Sequence, residues 1–296
     1  MDERKLRLMV VDDSIYLQIA LRAMMAAAPD VEIVGEAADG AQAVEMARLL
    51  RPDIITMDVN MPGMDGLEAT RRIMAEAPAP IVMMSSLTDK GAVATFRALE
   101  FGAVDYLPKT ASALDVDLSA VMDQVIAKVR FWGRRSAVIV EHSPVSPPER
   151  CDLIAIAGAI GAPRDCAQLV QAIGPADIPV LVAQDMPARF TAAFADFLAR
   201  TSGRRTLEAQ DGARLEPGET VVVPGGRKWR LTGAAGGPVV ELNADGPCGP
   251  ASALTAASAP LWIGVSLTDR SSAGAVRSSP AQMVQALKAI SGRRAA

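Results

Sequence analysis

A chain of 296 residues with 34 acidic and 30 basic side chains, half of it hydrophobic, suits two globular units and offers no broad basic field for nucleic acid. Its apolar runs are broken by Pro and Gly well short of the ~20 residues that cross a bilayer, so no membrane insertion is expected. The start MDERKLRLMVVDD carries no export signal, which makes the cytoplasm the expected compartment. Cys151, Cys166 and Cys248 form no CxxC, against zinc or a disulfide framework, and His142 is the one histidine.

In the first part of the chain, apolar β-type runs alternate with helical stretches. LRLMVV precedes a helix over 15–28, VEIVGE one over 40–50, DIITMD one over 66–77, PIVMMSS one over 90–101, and AVDYLP one over 112–131. Five such units predict a parallel sheet covered by helices on both faces, with ligands beyond the carboxyl ends of the strands. Those ends carry VVDDS at 10–14, TMDVNMPGMDG at 56–66, MMSS at 83–86 and DYLPK at 105–109.

Asp12, Asp13 and Asp58 then converge at one edge, and three crowded carboxylates need a counter-charge. A hard divalent cation such as Mg²⁺ supplies it, and Asp58 becomes a nucleophile toward a phosphoryl donor, with Lys109 and Ser85 placed to bind phosphoryl oxygens. Taken singly, the same segments read equally as a helix N-cap at Asp-Asp-Ser and a turn at MPGMDG.

In combination and order, residues 5–131 resemble the receiver domain of bacterial response regulators, a flavodoxin-like (βα)5 fold. The resemblance implies that Asp58 is phosphorylated and that Asp13, Asp58 and the backbone of Asn60 bind Mg²⁺, with Asp12 acting through water. It also makes Ser85 and Tyr106 the switch pair and Lys109 the phosphate-sensing lysine. Receivers usually carry proline after that lysine, where this chain has Thr110. A non-proline cis bond costs about 3–4 kcal/mol, so switch coupling is the property Thr110 bears on.

A receiver over 1–132 is followed by a Pro-rich linker over 133–150, GRRSAVIVEHSPVSPPER, read as an extended spacer in which His142 is solvated. Phe131–Trp132 reads as a helix end packed on its own core, with a docking patch for the second domain as the other reading.

The second domain, 151–296, returns to β then α: a strand in DLIAIAGAIGAP, a helix over 165–173, the strand PVLVAQ and a helix over 187–200. Two hairpin-like stretches follow, TLEAQDGARLEPGETVVVPGG and KWRLTGAAGGPVVEL, then the strand LWIGVSL and a helix over 279–290.

This order resembles the catalytic domain of the chemotaxis protein-glutamate methylesterase (CheB) family, an α/β domain, and the receiver-plus-esterase layout matches the whole chain. AGAIGAP stands opposite the family's GASTGGP-like turn, placing Ala159 at the nucleophilic serine. QDMPARFTAAFA stands opposite QHMP..FT..FA, placing Asp185 at the catalytic histidine, and LTDRSSAGA stands opposite the turn that brings the aspartate, with Asp269 out of register. Pro187 suits a first helical turn, so Asp185 is expected just ahead of a helix N-terminus, in a structural or recognition role.

A serine triad needs a nucleophile, a base that titrates near neutrality and a group to orient it, none of which is matched here. The expected function is therefore a chemotaxis response regulator phosphorylated on Asp58 by a chemotaxis-type histidine kinase. Its methylesterase-like domain acts by phospho-dependent binding, chemoreceptors being among the targets, or the protein serves as a phosphate sink. The alternative is an active methylesterase or glutamine deamidase, for which Cys166 is the thiol near the right strand end.

Overall fold

The computed structural model describes residues 4–86, 88–109, 118–134, 153–158, 163–184, 186–234, 237–242 and 262–266. It divides into two compact units, Met1–Ile139 and Val140–Ala296.

In the first unit, strands β1 (Leu6–Val11), β2 (Val31–Ala37), β3 (Ile54–Asp58), β4 (Ile81–Ser86) and β5 (Asp105–Lys109) form one parallel sheet in the order β2-β1-β3-β4-β5. The intervening helices are α1 (Ile15–Ala26), α2 (Gly40–Leu50), α3 (Gly66–Glu76) and α4 (Asp89–Glu100), and α5 (Leu118–Gly133) closes the unit. Strands buried on both faces read as continuous apolar runs, which is why β1, β3 and β4 are almost wholly inaccessible. Leu6, Leu8, Val10, Ile54, Val82 and Leu107 pack against Leu21 and Met25 of α1 and Val125, Val129 and Trp132 of α5.

Three helices begin on side-chain caps, with Asp39, Asp65 and Thr88 accepting from the N–H groups of Gln42, Glu68 and Gly91. At α1 the side chain of Ser14 makes no cap bond.

Helix α5 is described from Leu118, within the expected helix over 112–131, and 110–117 lie outside the described residues. Gly133 is helical, and Arg134 pairs with Asp30 at 2.7 Å.

The second unit holds a parallel sheet in the order β13-β6-β7-β10-β8, from β6 (Leu153–Gly158), β7 (Val180–Gln184), β8 (Arg205–Glu208), β10 (Glu219–Val222) and β13 (Trp262–Ser266). A small antiparallel sheet combines β9 (Ala213–Arg214), β11 (Trp229–Ala234) and β12 (Gly237–Leu242). Leu153, Leu181, Val221 and Val223 pack with Trp229, Leu231 and Val240 between the two sheets. Helices α6 (Pro163–Ile173) and α7 (Thr191–Ser202) contribute buried Leu169, Val170, Phe194 and Leu198.

One of the two expected hairpins forms, β11 with β12. The other does not: β8 and β10 are parallel neighbours, and β9 pairs with β12. Turns at Gly212 (φ 72°) and Gly218 (φ 78°) each reverse the chain, and two reversals restore the original direction.

The helix expected from 187 begins at Thr191. Pro187 is extended (ψ 140°), and a 3-10 turn, Ala188–Phe190, intervenes. Asp185 lies outside the described residues, six positions ahead of Thr191 in the chain.

Candidate functional site

The strand order places the carboxyl ends of β1 and β3 side by side at the point where the chain reverses its direction of winding, the usual crevice of such sheets. Asp12 and Asp13 leave β1 there, and Asp58 ends β3. Carboxylate oxygens of the three lie within 4.8 Å of one another, with Asp12 and Asp58 buried and Asp13 exposed. Lys109, the last residue of β5, sets its ammonium 2.8 Å from Asp12 Oδ2 and 2.8 Å from Asp58 Oδ2. Asp12 Oδ1 accepts from the Ser14 N–H at 3.0 Å, so Asp12 ties the start of α1 in place of a serine cap.

Burial pushes the Asp58 carboxyl above its ordinary range and the Asp12 charge adds to this, while the Lys109 ammonium and the Asn60 N–H pull it back. Despite the nearby ammonium, buried Asp12 Oδ2 receives no well-directed hydrogen bond. Crowded carboxylates with an under-satisfied buried oxygen and one exposed member fit a hard, oxygen-seeking cation that retains water.

Ser85 lies on β4 one residue beyond Met84, the partner of Asp58 in the sheet, and its hydroxyl donates to the Gly91 carbonyl at 3.0 Å. Tyr106 is buried, its ring edge-on to Phe96 at 6.1 Å. Asn60 is exposed and follows Asp58 by two residues. The segment MPGMDG is indeed a turn, with Gly63 at φ 73° and Asp65 capping α3, whereas Asp12, Asp13 and Asp58 have carboxylates in the cluster.

Sequence reading missed Asp105, a fully buried carboxylate that accepts from Lys128 Nζ (2.9 Å) and Trp132 Nε1 (3.1 Å). The available signal was an aspartate inside the otherwise apolar AVDYLP. Trp132 is packed in the core, as one reading of the Phe131–Trp132 pair expects, and Phe131 remains partly exposed beside it.

In the second unit, β6 and β7 pair up to Gly158 and Gln184. Ala159 and Asp185 follow directly in the chain, and both lie outside the described residues, as do Thr110, His142 and Asp269. The described residues that follow β7 are close-packed. The Gly225 N–H donates to Thr191 Oγ1 at 3.0 Å, and a methyl group added at Gly225 would meet the Met186 carbonyl at 2.1 Å.

Cys166 does not suit a nucleophile. It is fully buried on α6, its thiol points to Gln184 Oε1 at 3.6 Å, and burial pushes its pKa well above the ordinary thiol value. A cavity of about 320 Å³ is lined by residues that include Ala188, Glu208, Gln210, Asp211 and Arg227, and among the described residues that line it none carries a hydroxyl, thiol or imidazole side chain. No helix among the described residues is long and apolar enough to cross a membrane.

Residues 8–118 match the response regulator receiver domain family, and residues 154–276 match the CheB methylesterase family. The chain is 36% identical over 255 residues to a protein-glutamate methylesterase/protein-glutamine glutaminase of Pyrococcus horikoshii, covering 81% of this chain and 69% of that one. A Caulobacter vibrioides protein named protein-glutamate methylesterase/protein-glutamine glutaminase 1 is 39% identical over 230 residues, 75% of this chain and 66% of its own. Among solved structures, the response regulator domain of Thermotoga maritima CheB is 40% identical, with a TM-score of 0.41, covering 44% of this chain and 98% of that one. With both domain types in this order and a relative of that identity matched over more than two thirds of its length, the chain belongs to the protein-glutamate methylesterase/protein-glutamine glutaminase (CheB) family.

Proposed function

We infer that this chain is a chemotaxis response regulator that takes a phosphoryl group on Asp58 and whose second domain acts by binding rather than by hydrolysis. The observation that carries the phosphoryl-acceptor half is the Lys109 ammonium held 2.8 Å from both Asp12 and Asp58 at the strand ends. A Mg²⁺ ion held by Asp13, Asp58 and the backbone of Asn60, with Asp12 through water, would supply the positive charge that lets an anionic donor approach.

A carboxylate oxygen of Asp58 attacks phosphorus, and the bond to the donor's leaving group breaks with its electron pair going to that group. Lys109 then exchanges a carboxylate for a phosphoryl oxygen, and the Ser85 hydroxyl, now donating to Gly91, is positioned on β4 to turn toward the new anion. The donor by this reading is a chemotaxis-type histidine kinase, and chemoreceptors are the first binding target to test.

The binding half rests on residue chemistry. Ala159 offers no nucleophilic atom, Asp185 stands where a base that titrates near neutrality is required, and His142 lies in the expected linker. Loss of one such triad member typically costs ~10⁴–10⁶ in rate. The second reading, an active methylesterase or glutaminase, is favoured by the names of the relatives.

Methanol release from a methylated chemoreceptor fragment separates the two, measured with and without a small phosphodonor beside an Asp58→Asn control, with Asp58 occupancy read by mass. Phosphorylated protein and no methanol above background is the expected outcome. Methanol release that rises with occupancy would overturn the binding reading.

A further inference from the structure

Strand β5 is five residues long and carries a buried charge attachment at each end. Lys109 ties one end to Asp12 and Asp58. Asp105 ties the other end to α5, through Lys128 Nζ on Oδ1 at 2.9 Å and the Trp132 indole N–H on Oδ2 at 3.1 Å. Oδ1 also accepts from the Tyr106 N–H at 2.8 Å. Lys128 does more than neutralise Asp105: it donates to the Tyr106 carbonyl at 2.7 Å and lies 5.1 Å from the centre of the Tyr106 ring.

A buried ion pair is costly to assemble, and fixing one geometry is its best-attested use. β5 lies at the edge of its sheet, bonded to β4 on one side, so fewer ladder bonds resist its displacement than for β1 or β3.

We propose that Asp105 and Lys128 are positioning residues that carry the charge state of Asp58 from the Lys109 end of β5 to Trp132, near the end of α5. This rests on the reading that Asp58 takes a phosphoryl group. New negative charge at Asp58 changes what Lys109 bonds to, and a short edge strand pulled at that end moves against α4 and α5. Tyr106, between the two attachments, carries Lys128 with it, because Lys128 bonds the Tyr106 carbonyl directly. The indole bond to Asp105 then differs between the two states, which is the differential contact that coupling requires.

The test uses the full chain labelled with fluorotryptophan. Its three tryptophans are resolved by fluorine NMR, with the Trp132 resonance assigned by Trp132→Phe. Acetyl phosphate and Mg²⁺ are added, and Asp58 occupancy is read by mass in the same sample. The parent's Trp132 resonance is expected to shift with occupancy. In Lys128→Met the occupancy is expected to match the parent and the shift to be lost.

If Lys128→Met fails to fold, the double variant Asp105→Asn, Lys128→Met removes both charges and leaves the indole an acceptor. The expectation is the same. A merely structural staple would lower the melting temperature and leave the shift intact, and that result overturns the proposal. A phosphorylated parent whose Trp132 resonance stays put overturns it as well. An Asp58 that gains no mass overturns the receiver reading, and this inference with it.

Discussion

A methyl group added at Gly66 would meet the carbonyl oxygen of Asp58 at 1.8 Å, far inside van der Waals contact, and the atom it meets is backbone. The Gly66 N–H also donates to the Val59 carbonyl at 3.0 Å, so the start of α3 is pinned to the strand end that carries the acceptor. Gly66→Ala is therefore expected to cost about 1–3 kcal/mol or more and to slow phosphorylation of Asp58 along with it. Gly63, at φ 73° with open space around it, is the control: alanine there costs about 1–2 kcal/mol through conformation alone and leaves the phosphorylation rate unchanged. Thermal melts and a mass-based time course check both. Asp30 tests electrostatics away from the site. The bidentate Arg130 hydrogen bonds, helped by Arg134, hold its carboxyl below the ordinary 3.8. A depressed folded-state pKa gives stability that is present above 3.8 and lost as pH falls through the lowered value. Because these side chains are partly exposed, Asp30→Asn is expected to cost under about 1 kcal/mol at neutral pH. Chemical denaturation should show that difference shrinking below pH 3.8.

Strand β8 begins one residue after Arg204, a buried guanidinium that donates to the carbonyls of Gly174, Ala176, Ile178 and Glu219 and to Thr220 Oγ1. It thereby fastens the loop ahead of β7, the start of β10 and the end of α7 to one another. Arg204→Met keeps much of the volume and strands those carbonyls, so a loss of about 3–5 kcal/mol is expected. The denaturation midpoint of the second unit should fall while Asp58 phosphorylation is unaffected. Neither Arg204 nor Asp105 was legible as a buried charge in the sequence. The partners that make burial tolerable lie 15–30 residues away for Arg204 and 23–27 away for the side-chain partners of Asp105, beyond the reach of local pattern. What is local was legible. The apolar runs of β1, β3, β4 and β7, and the Asp and Lys residues at the ends of β1, β3 and β5, could be read because a parallel strand announces itself by continuous burial. The pairing of β8, β9 and β10 could not, since turn residues say that the chain reverses but not which sheet receives the next strand.

Among the described residues, every side-chain contact that builds the acceptor cluster joins residues between Asp12 and Lys109, inside a unit with its own core that ends at Ile139. A domain that buries its own core and holds its own site is a self-sufficient folding unit. The segment SPVSPPER, expected to be an extended spacer, is the natural place to separate the two units. A protease site introduced within 143–150 of the full chain should, once cleaved, release an N-terminal fragment that unfolds cooperatively and takes a phosphoryl group from acetyl phosphate at the parent rate. Within that fragment, Lys109→Met should still allow phosphoryl transfer, because the attacking oxygen belongs to Asp58. It should also weaken the link between occupancy and β5, since the ammonium that bonds Asp12 and Asp58 is gone. The Trp132 resonance then separates cause from consequence: in the cleaved parent it follows occupancy, and in cleaved Lys109→Met it does not. A fall in the cleaved parent's phosphorylation rate of about tenfold, about 1.4 kcal/mol in the barrier, would refute the self-sufficiency of the first unit.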